Sequence, residues 1–141
     1  MTVRTSEAQW DGTLQDGKGR FWTGSGEVSG DFSFSTRFEE QPGTNPEELI
    51  GAALAGCYSM ALAADLERAG YQPGSVRTKA NVIFEKGEAG WTVERIDLES
   101  EASVPGIADE EFQKIAAGTK EGCPVSKTLA SPIELEARLV G

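Results

Sequence analysis

The apolar positions of this chain follow three rhythms, and each predicts a different kind of element. From residue 4 to residue 38 they come in short clusters separated by glycine. DGKG (Asp16 to Gly19) lies between Thr13-Leu14 and Phe21-Trp22 and reads as a hairpin turn, because glycine accepts positive φ there. GSGEVSGD reads as a second loop, and DFSFSTRF (Asp31 to Phe38) alternates as a strand does. From Pro46 to about Ala69 the alternation stops and a helix is expected. Pro46 suits a first helical turn, Glu47 and Glu48 complement the positive end of the dipole, and Gly70 can end it.

Beyond that helix the alternation returns. Val76, Thr78, Ala80, Val82 and Phe84 share one face of a strand, KGEAG makes the turn, and Trp91 and Val93 start a partner strand. Ile96 and Leu98 continue on the opposite parity, which implies either a bulge between Val93 and Ile96 or partial cover on both faces. Pro105-Gly106 breaks the chain before an acidic-capped helix, ADEEFQKIAAGTKEG. CPVSKTL reads as a second short helix, and IELEARLV as a closing strand with Ile133, Leu135 and Leu139 on one face. No repeat, linker or low-complexity segment interrupts the order, so residues 1–141 read as one α+β domain with a mostly antiparallel sheet around a long central helix.

The central helix is unusual in its lack of a single stripe. Leu49, Ile50, Leu54, Tyr58, Met60, Ala61 and Leu62 point in all directions, and Gly51, Ala52, Ala53, Ala55 and Gly56 allow close backbone approach. A helix apolar all round is buried all round. One sheet covers only one side, so a second copy of the chain, in a homodimer, is expected on the other.

Composition narrows the chemistry. Thirteen basic against 23 acidic residues give a formal charge of −10, which makes nucleic acid and anionic membrane poor partners. The opening MTVRTSEAQW has no apolar run of the signal-peptide kind, and the longest uncharged run, Leu49 to Ala64, is 16 residues. A span needs about 20, so a core helix and a cytoplasmic location are expected. Histidine is absent, which excludes histidine-activated nucleophiles and histidine metal ligands. Two cysteines form neither a four-ligand zinc site on their own nor a secreted disulfide framework. Thiols and charged side chains are what remains for catalysis.

Cys57 lies inside the apolar helix, where a free cysteine is ordinarily inert packing. Cys123 follows Gly122 and precedes Pro124, so it stands near a helix start, where unpaired amides and the dipole favour a thiolate. Whether the two meet depends on the fold. Glu39, Glu40, Asp109, Glu110 and Glu111 read as solvated faces or helix caps, Trp10, Trp22 and Trp91 as packing, and Ser126 and Thr128 as capping or local hydrogen bonding.

NPEELIGAALAGCYSMAL, TRFEE-QPGT just before it, EGCPVSKTL near the end, the GKG hairpin and SVPGI at 103–107 resemble the osmotically inducible protein C family, related to the organic hydroperoxide resistance proteins. The resemblance covers essentially the whole chain, and its two cysteine motifs stand about 66 residues apart in the surroundings the family shows. The NPEELIGAA wording and the long N-terminal strand region fit the osmotically inducible branch.

This resemblance implies an intertwined homodimer and a thiol peroxidase that reduces organic hydroperoxides in oxidative and osmotic stress defence, with no bound cofactor. Cys57 would be the peroxidatic cysteine and Cys123 the resolving one. An external dithiol, of the lipoyl type for example, would reopen their disulfide. Arg37 matches the family's active-site arginine and Glu47 its glutamate partner. Arginine keeps its charge when buried and can sustain a thiolate, and a carboxylate can hold its fork bidentately. Ten residues of continuous helix put Glu47 about 15 Å along the axis from Cys57. Arg37 must therefore bridge, or the glutamate must come from a partner chain. The reading from a different class is a non-enzymatic protein that binds a small apolar ligand or senses redox state through the same cysteines.

Overall fold

Glycine punctuation and short aromatic clusters make the N-terminal strands, although their boundaries differ from the expected ones. The computed structural model describes all 141 residues, and the chain divides into two units, Met1–Leu49 and Ile50–Gly141. In the first, β1 (Ser6–Asp11), β2 (Lys18–Thr23) and β3 (Ser29–Phe32) pair antiparallel in sequence order. Thr13 and Leu14 lie in the first turn rather than in a strand, while Lys18 and Gly19 already belong to β2. Gly19 is required on the sheet, because a Cβ there would lie 2.6 Å from the Phe32 ring. Phe32 stacks on Phe21 at 4.8 Å and tilts against Trp10 at 5.5 Å, the packing role expected of that tryptophan.

The strand expected over Asp31–Phe38 ends at Phe32, and α1 (Phe34–Phe38) takes its place. The reason is a capping box. Thr36 N–H donates to Ser33 Oγ at 3.2 Å, and Ser33 N–H donates to Thr36 Oγ1 at 2.9 Å. Two reciprocal bonds close the helix start at the point where the apolar alternation still reads as strand.

The long helix α2 (Pro46–Arg68) is as expected. Asn45 Oδ1 accepts from Glu48 N–H at 2.9 Å, and Gly70, at φ 96, turns the chain out of it. In the second unit, Leu54, Tyr58, Leu62 and Leu66 recur every fourth residue and are fully buried. They form one core with Ile96, Leu98, Ala102, Val104, Phe112 and Ala116. The helix is therefore not covered on every side: Ala52, Ala53 and Gly56 are exposed, and Met60 is 78% exposed. By length and composition α2 is apolar enough to cross a bilayer, but its leucine–tyrosine stripe is committed to the protein core.

Two sheets form, not one. The second contains β4 (Ser75–Gly87), β5 (Gly90–Ser103) and β6 (Ile133–Leu139). β4 and β5 are antiparallel, and β5 and β6 are parallel. Ile83 pairs Arg95 while Phe84 pairs Val93, so Glu94 is the extra residue of a bulge. That bulge resolves the parity change and brings Ile96 and Leu98 into the core. Behind them, Ser59 Oγ donates to Thr78 Oγ1 at 2.8 Å and Thr78 meets Ser100 Oγ at 3.1 Å, which satisfies the buried Ser100. Between β5 and β6 run α3 (Asp109–Gly122) and α4 (Pro124–Thr128).

Candidate active site

Four side chains single themselves out in the sequence, and the fold collects them as two pairs. In the N-terminal unit, Arg37 stands in the last turn of α1, not at a strand end, and meets Glu47 in the first turn of α2. Its Nε donates to Oε1 at 3.1 Å and its Nη2 donates to the same oxygen at 2.9 Å, with Oε2 3.3 Å from Nε. Glu47 is buried, at 8% exposure, and its carboxylate oxygens are met there by that guanidinium. The Arg37 guanidinium also lies over the Phe38 ring, 5.1 Å from its centroid. Arg37 edges an otherwise largely apolar cavity of about 490 Å³ formed by Trp10, Leu14, Phe32, Phe34 and Phe38.

In the C-terminal unit the two cysteines meet. Cys57 and Cys123 are 66 residues apart in sequence, yet their Sγ atoms are 2.9 Å apart. Both are free thiols, since a disulfide requires about 2.05 Å. The fold achieves this by standing α2 against α3. Cys57 directly precedes buried Tyr58, whose hydroxyl donates to the Ala116 carbonyl at 3.0 Å. Two turns further, Thr119 Oγ1 donates to Asp65 Oδ2 at 2.6 Å. Burial keeps the Tyr58 phenol neutral by pushing its pKa up. Nothing in the sequence singles out Tyr58, Asp65 or Thr119 for this role, because each works through a partner on the other helix.

Cys123 closes α3 and opens α4. Its N–H donates to the Thr119 carbonyl at 2.9 Å, and its own carbonyl accepts from Lys127 at 3.0 Å. Pro124 takes the first helical position, where its missing N–H costs nothing. The two sulfurs are unequal. Burial pushes the Cys57 thiol up, the contact with Cys123 pushes it further, and the Val125 amide only partly opposes this. Burial also works against a charge on Cys123, but the neighbouring Cys57 and the peptide N–H groups at the start of α4 outweigh it and hold that thiol below the ordinary cysteine value. Cys123 is 1% exposed, whereas Cys57 is only half-buried.

The remaining candidates are structural. Thr128 Oγ1 bonds the Pro124 carbonyl at 2.9 Å, Trp22 Nε1 donates to Glu7, and Trp91 stacks on Phe84 at 4.9 Å. Asp109, Glu110 and Glu111 fill the first turn of α3. Ser126 departs from the capping role expected of it, because its buried Oγ has no hydrogen-bond partner.

Comparison with known proteins places this arrangement. The model of the OsmC-like protein family matches residues 38–138. The chain is 45% identical over 141 residues to peroxiredoxin OsmC of Escherichia coli (strain K12), covering 99% of each. Among solved structures, an OsmC-like protein of unknown function from Vibrio cholerae superposes with a TM-score of 0.78 at 17% identity, covering 97% of this chain and 99% of that one. The organic hydroperoxide resistance protein OhrB of Bacillus subtilis gives 0.68 at 21% identity, covering 96% and 98%. At those identities the structures speak for the fold alone.

Proposed function

Because the chain belongs to the OsmC-like protein family, we propose that it is a thiol peroxidase that reduces organic hydroperoxides to alcohols in oxidative and osmotic stress defence. The full-length identity to a peroxiredoxin supports a peroxidase-type function. The single observation that carries the two-cysteine reading is the 2.9 Å contact between Cys57 and Cys123.

In this reading Cys57, the more accessible sulfur, attacks the distal peroxide oxygen as a thiolate. The O–O bond breaks, the alkoxide leaves and takes up a proton as alcohol, and Cys57 becomes a sulfenic acid. Cys123 then attacks that sulfur, a disulfide forms and water is released. An external dithiol supplies two electrons, restores both thiols and is itself oxidised to a disulfide.

Burial raises Cys57, so this chemistry needs a cation. We assign that role to Arg37, oriented by Glu47, within a homodimer that covers the exposed Met60 side of α2. A redox-sensing reading draws on the same two cysteines. Turnover decides between them. With cumene or tert-butyl hydroperoxide and a dithiol, the enzyme consumes many equivalents and prefers these substrates to hydrogen peroxide, whereas a sensor oxidises once and stops.

A further inference from the structure

We infer that Asp65 and Thr119 form a positioning pair. Their side-chain hydrogen bond holds the end of α3 that carries Cys123 against the helix that carries Cys57, and so raises the effective concentration of one sulfur at the other. This role rests on the two-cysteine reading above and assigns its disulfide step two residues outside the thiol pair.

The starting observation is a buried hydroxyl in an apolar setting. Of the buried polar residues, Glu47 belongs to the ion pair and Ser100 is bonded to Thr78, which leaves Thr119, 1% exposed. A helical threonine ordinarily donates its proton to the carbonyl four residues earlier, and the Ile115 oxygen lies 3.0 Å away. The hydroxyl has only one proton, however, and Asp65 Oδ2 is closer, at 2.6 Å, the short end of the hydroxyl range. The shorter bond is the one that crosses from α3 to α2. The other carboxyl oxygen of Asp65 is met by Arg68 of its own helix, which leaves Oδ2 for Thr119.

Placement along the two helices gives this bond its reach. Ala116, Thr119 and Cys123 fall at i, i+3 and i+7, one face of α3, and Tyr58 and Asp65, seven apart, share a face of α2. Thr119 is also joined to Cys123 through the main chain, because its carbonyl accepts the Cys123 N–H at 2.9 Å. A single residue therefore links Asp65 to the backbone of Cys123. Asp65 stands two turns beyond Cys57, about 12 Å along the axis. Ties at separated points restrict the sliding and rotation of one helix on the other that a single contact would permit. The sulfurs, 2.9 Å apart, have to close to about 2.05 Å. In that step the Cys123 sulfur bonds to the sulfenic sulfur of Cys57, the S–O bond breaks, and the hydroxyl leaves with the thiol proton as water. Orientation held in advance accelerates such a step and favours its product.

The test uses the full chain and no peroxide, so it is independent of peroxidase activity. In mixtures of reduced and oxidised glutathione, the protein dithiol gives two electrons to oxidised glutathione and the Cys57–Cys123 disulfide forms. Thr119→Val, which keeps the shape and removes the hydroxyl, should lower the equilibrium constant for that disulfide roughly three- to tenfold, the equivalent of one hydrogen bond. Asp65→Ala should match it, the double variant should fall no further, and Thr119→Ser should restore the wild-type value. Denaturant unfolding separates position from stability, because Thr119→Val should destabilise the oxidised protein more than the reduced one. An equal loss in both states, with the glutathione equilibrium unmoved, would reduce the bond to a structural contact and overturn the inference. Additive losses in the double variant would overturn the pairing. A wild-type chain that forms no Cys57–Cys123 disulfide would overturn the two-cysteine reading, and the inference with it.

Discussion

The two paired sites solve the same problem, holding a charge in an apolar setting, by opposite means. In the N-terminal unit, a guanidinium fork meets the Glu47 carboxylate through Arg37 Nε and Nη2. In the C-terminal unit, Cys57 and Cys123 are two weak acids of one kind sharing a contact, and the surroundings decide which ionises. The first pair is held by the fork of hydrogen bonds between its two members. The second is held by packing, because α2 and α3 are tied by Tyr58 to Ala116 and by Thr119 to Asp65. A thiol pair can change its charge and its covalent state in place, and the ion pair can do neither. The proposed function accordingly gives the chemistry to the sulfurs and the electrostatic support to the ions.

The largest expected effect comes from removing the thiol pair's reactive member. Cys57→Ser should abolish hydroperoxide reduction, because an alcohol cannot reach the sulfenic state. Cys123→Ser should leave one oxidation intact and block disulfide closure and turnover. Mass spectrometry after one equivalent of hydroperoxide checks both, and sulfenic acid on Cys123 in preference to Cys57 would reverse the assignment.

The connection between the two pairs is tested next. Arg37→Ala should slow peroxide reduction by about one to two powers of ten, the equivalent of a lost charge-assisted hydrogen bond worth about 1.5–3 kcal/mol. On the proposed role of Arg37 as the cation that offsets the burial of Cys57, it should also shift iodoacetamide labelling of Cys57 to higher pH. Arg37→Lys should recover only part of both. Glu47 would be left buried without its partner, so the double variant Arg37→Ala, Glu47→Gln separates lost stability from lost catalysis. Superimposable labelling curves for wild type and Arg37→Ala would detach the ion pair from the thiols.

Oligomeric state sharpens the comparison on the side of α2 that the chain leaves bare. Met60→Glu should turn the proposed dimer into monomer by light scattering at micromolar concentration, with a loss of activity if the partner completes the site. A wild-type chain that is already monomeric and active would sink the dimer.

Stability effects are smaller and contrast the two cores. Leu62→Ala should cost about 2–5 kcal/mol, because it empties a fully buried position of the C-terminal core. Ser33→Ala should cost about 1 kcal/mol, the usual worth of an N-cap. Denaturant unfolding measures both, and equal losses would contradict the assignment of Ser33 to a cap.

Much of this molecule is written in local pattern. The extent of α2, the α3–α4 break at Gly122–Pro124, the β4–β5 hairpin and the parity change at Glu94 all follow from residue spacing, since helix and strand periods and turn chemistry act over a few residues. The cysteine motifs and the Arg37–Glu47 pair were legible through their resemblance to a family. α1 was not legible, because Phe32 and Phe34 alternate as in a strand and only the Ser33–Thr36 capping box decides otherwise. Nor was the division into two sheets, or the parallel pairing of β6 on β5, which depends on where a connection of two helices returns the chain. The sequence by itself determined which residues can do chemistry: two thiols, no histidine, an arginine and a glutamate. The distance between the sulfurs, their unequal burial and the unpartnered hydroxyl of Ser126 belong to the tertiary structure alone. Each depends on groups far apart in the chain or on the burial around them, and no local pattern encodes a contact between residues 66 apart.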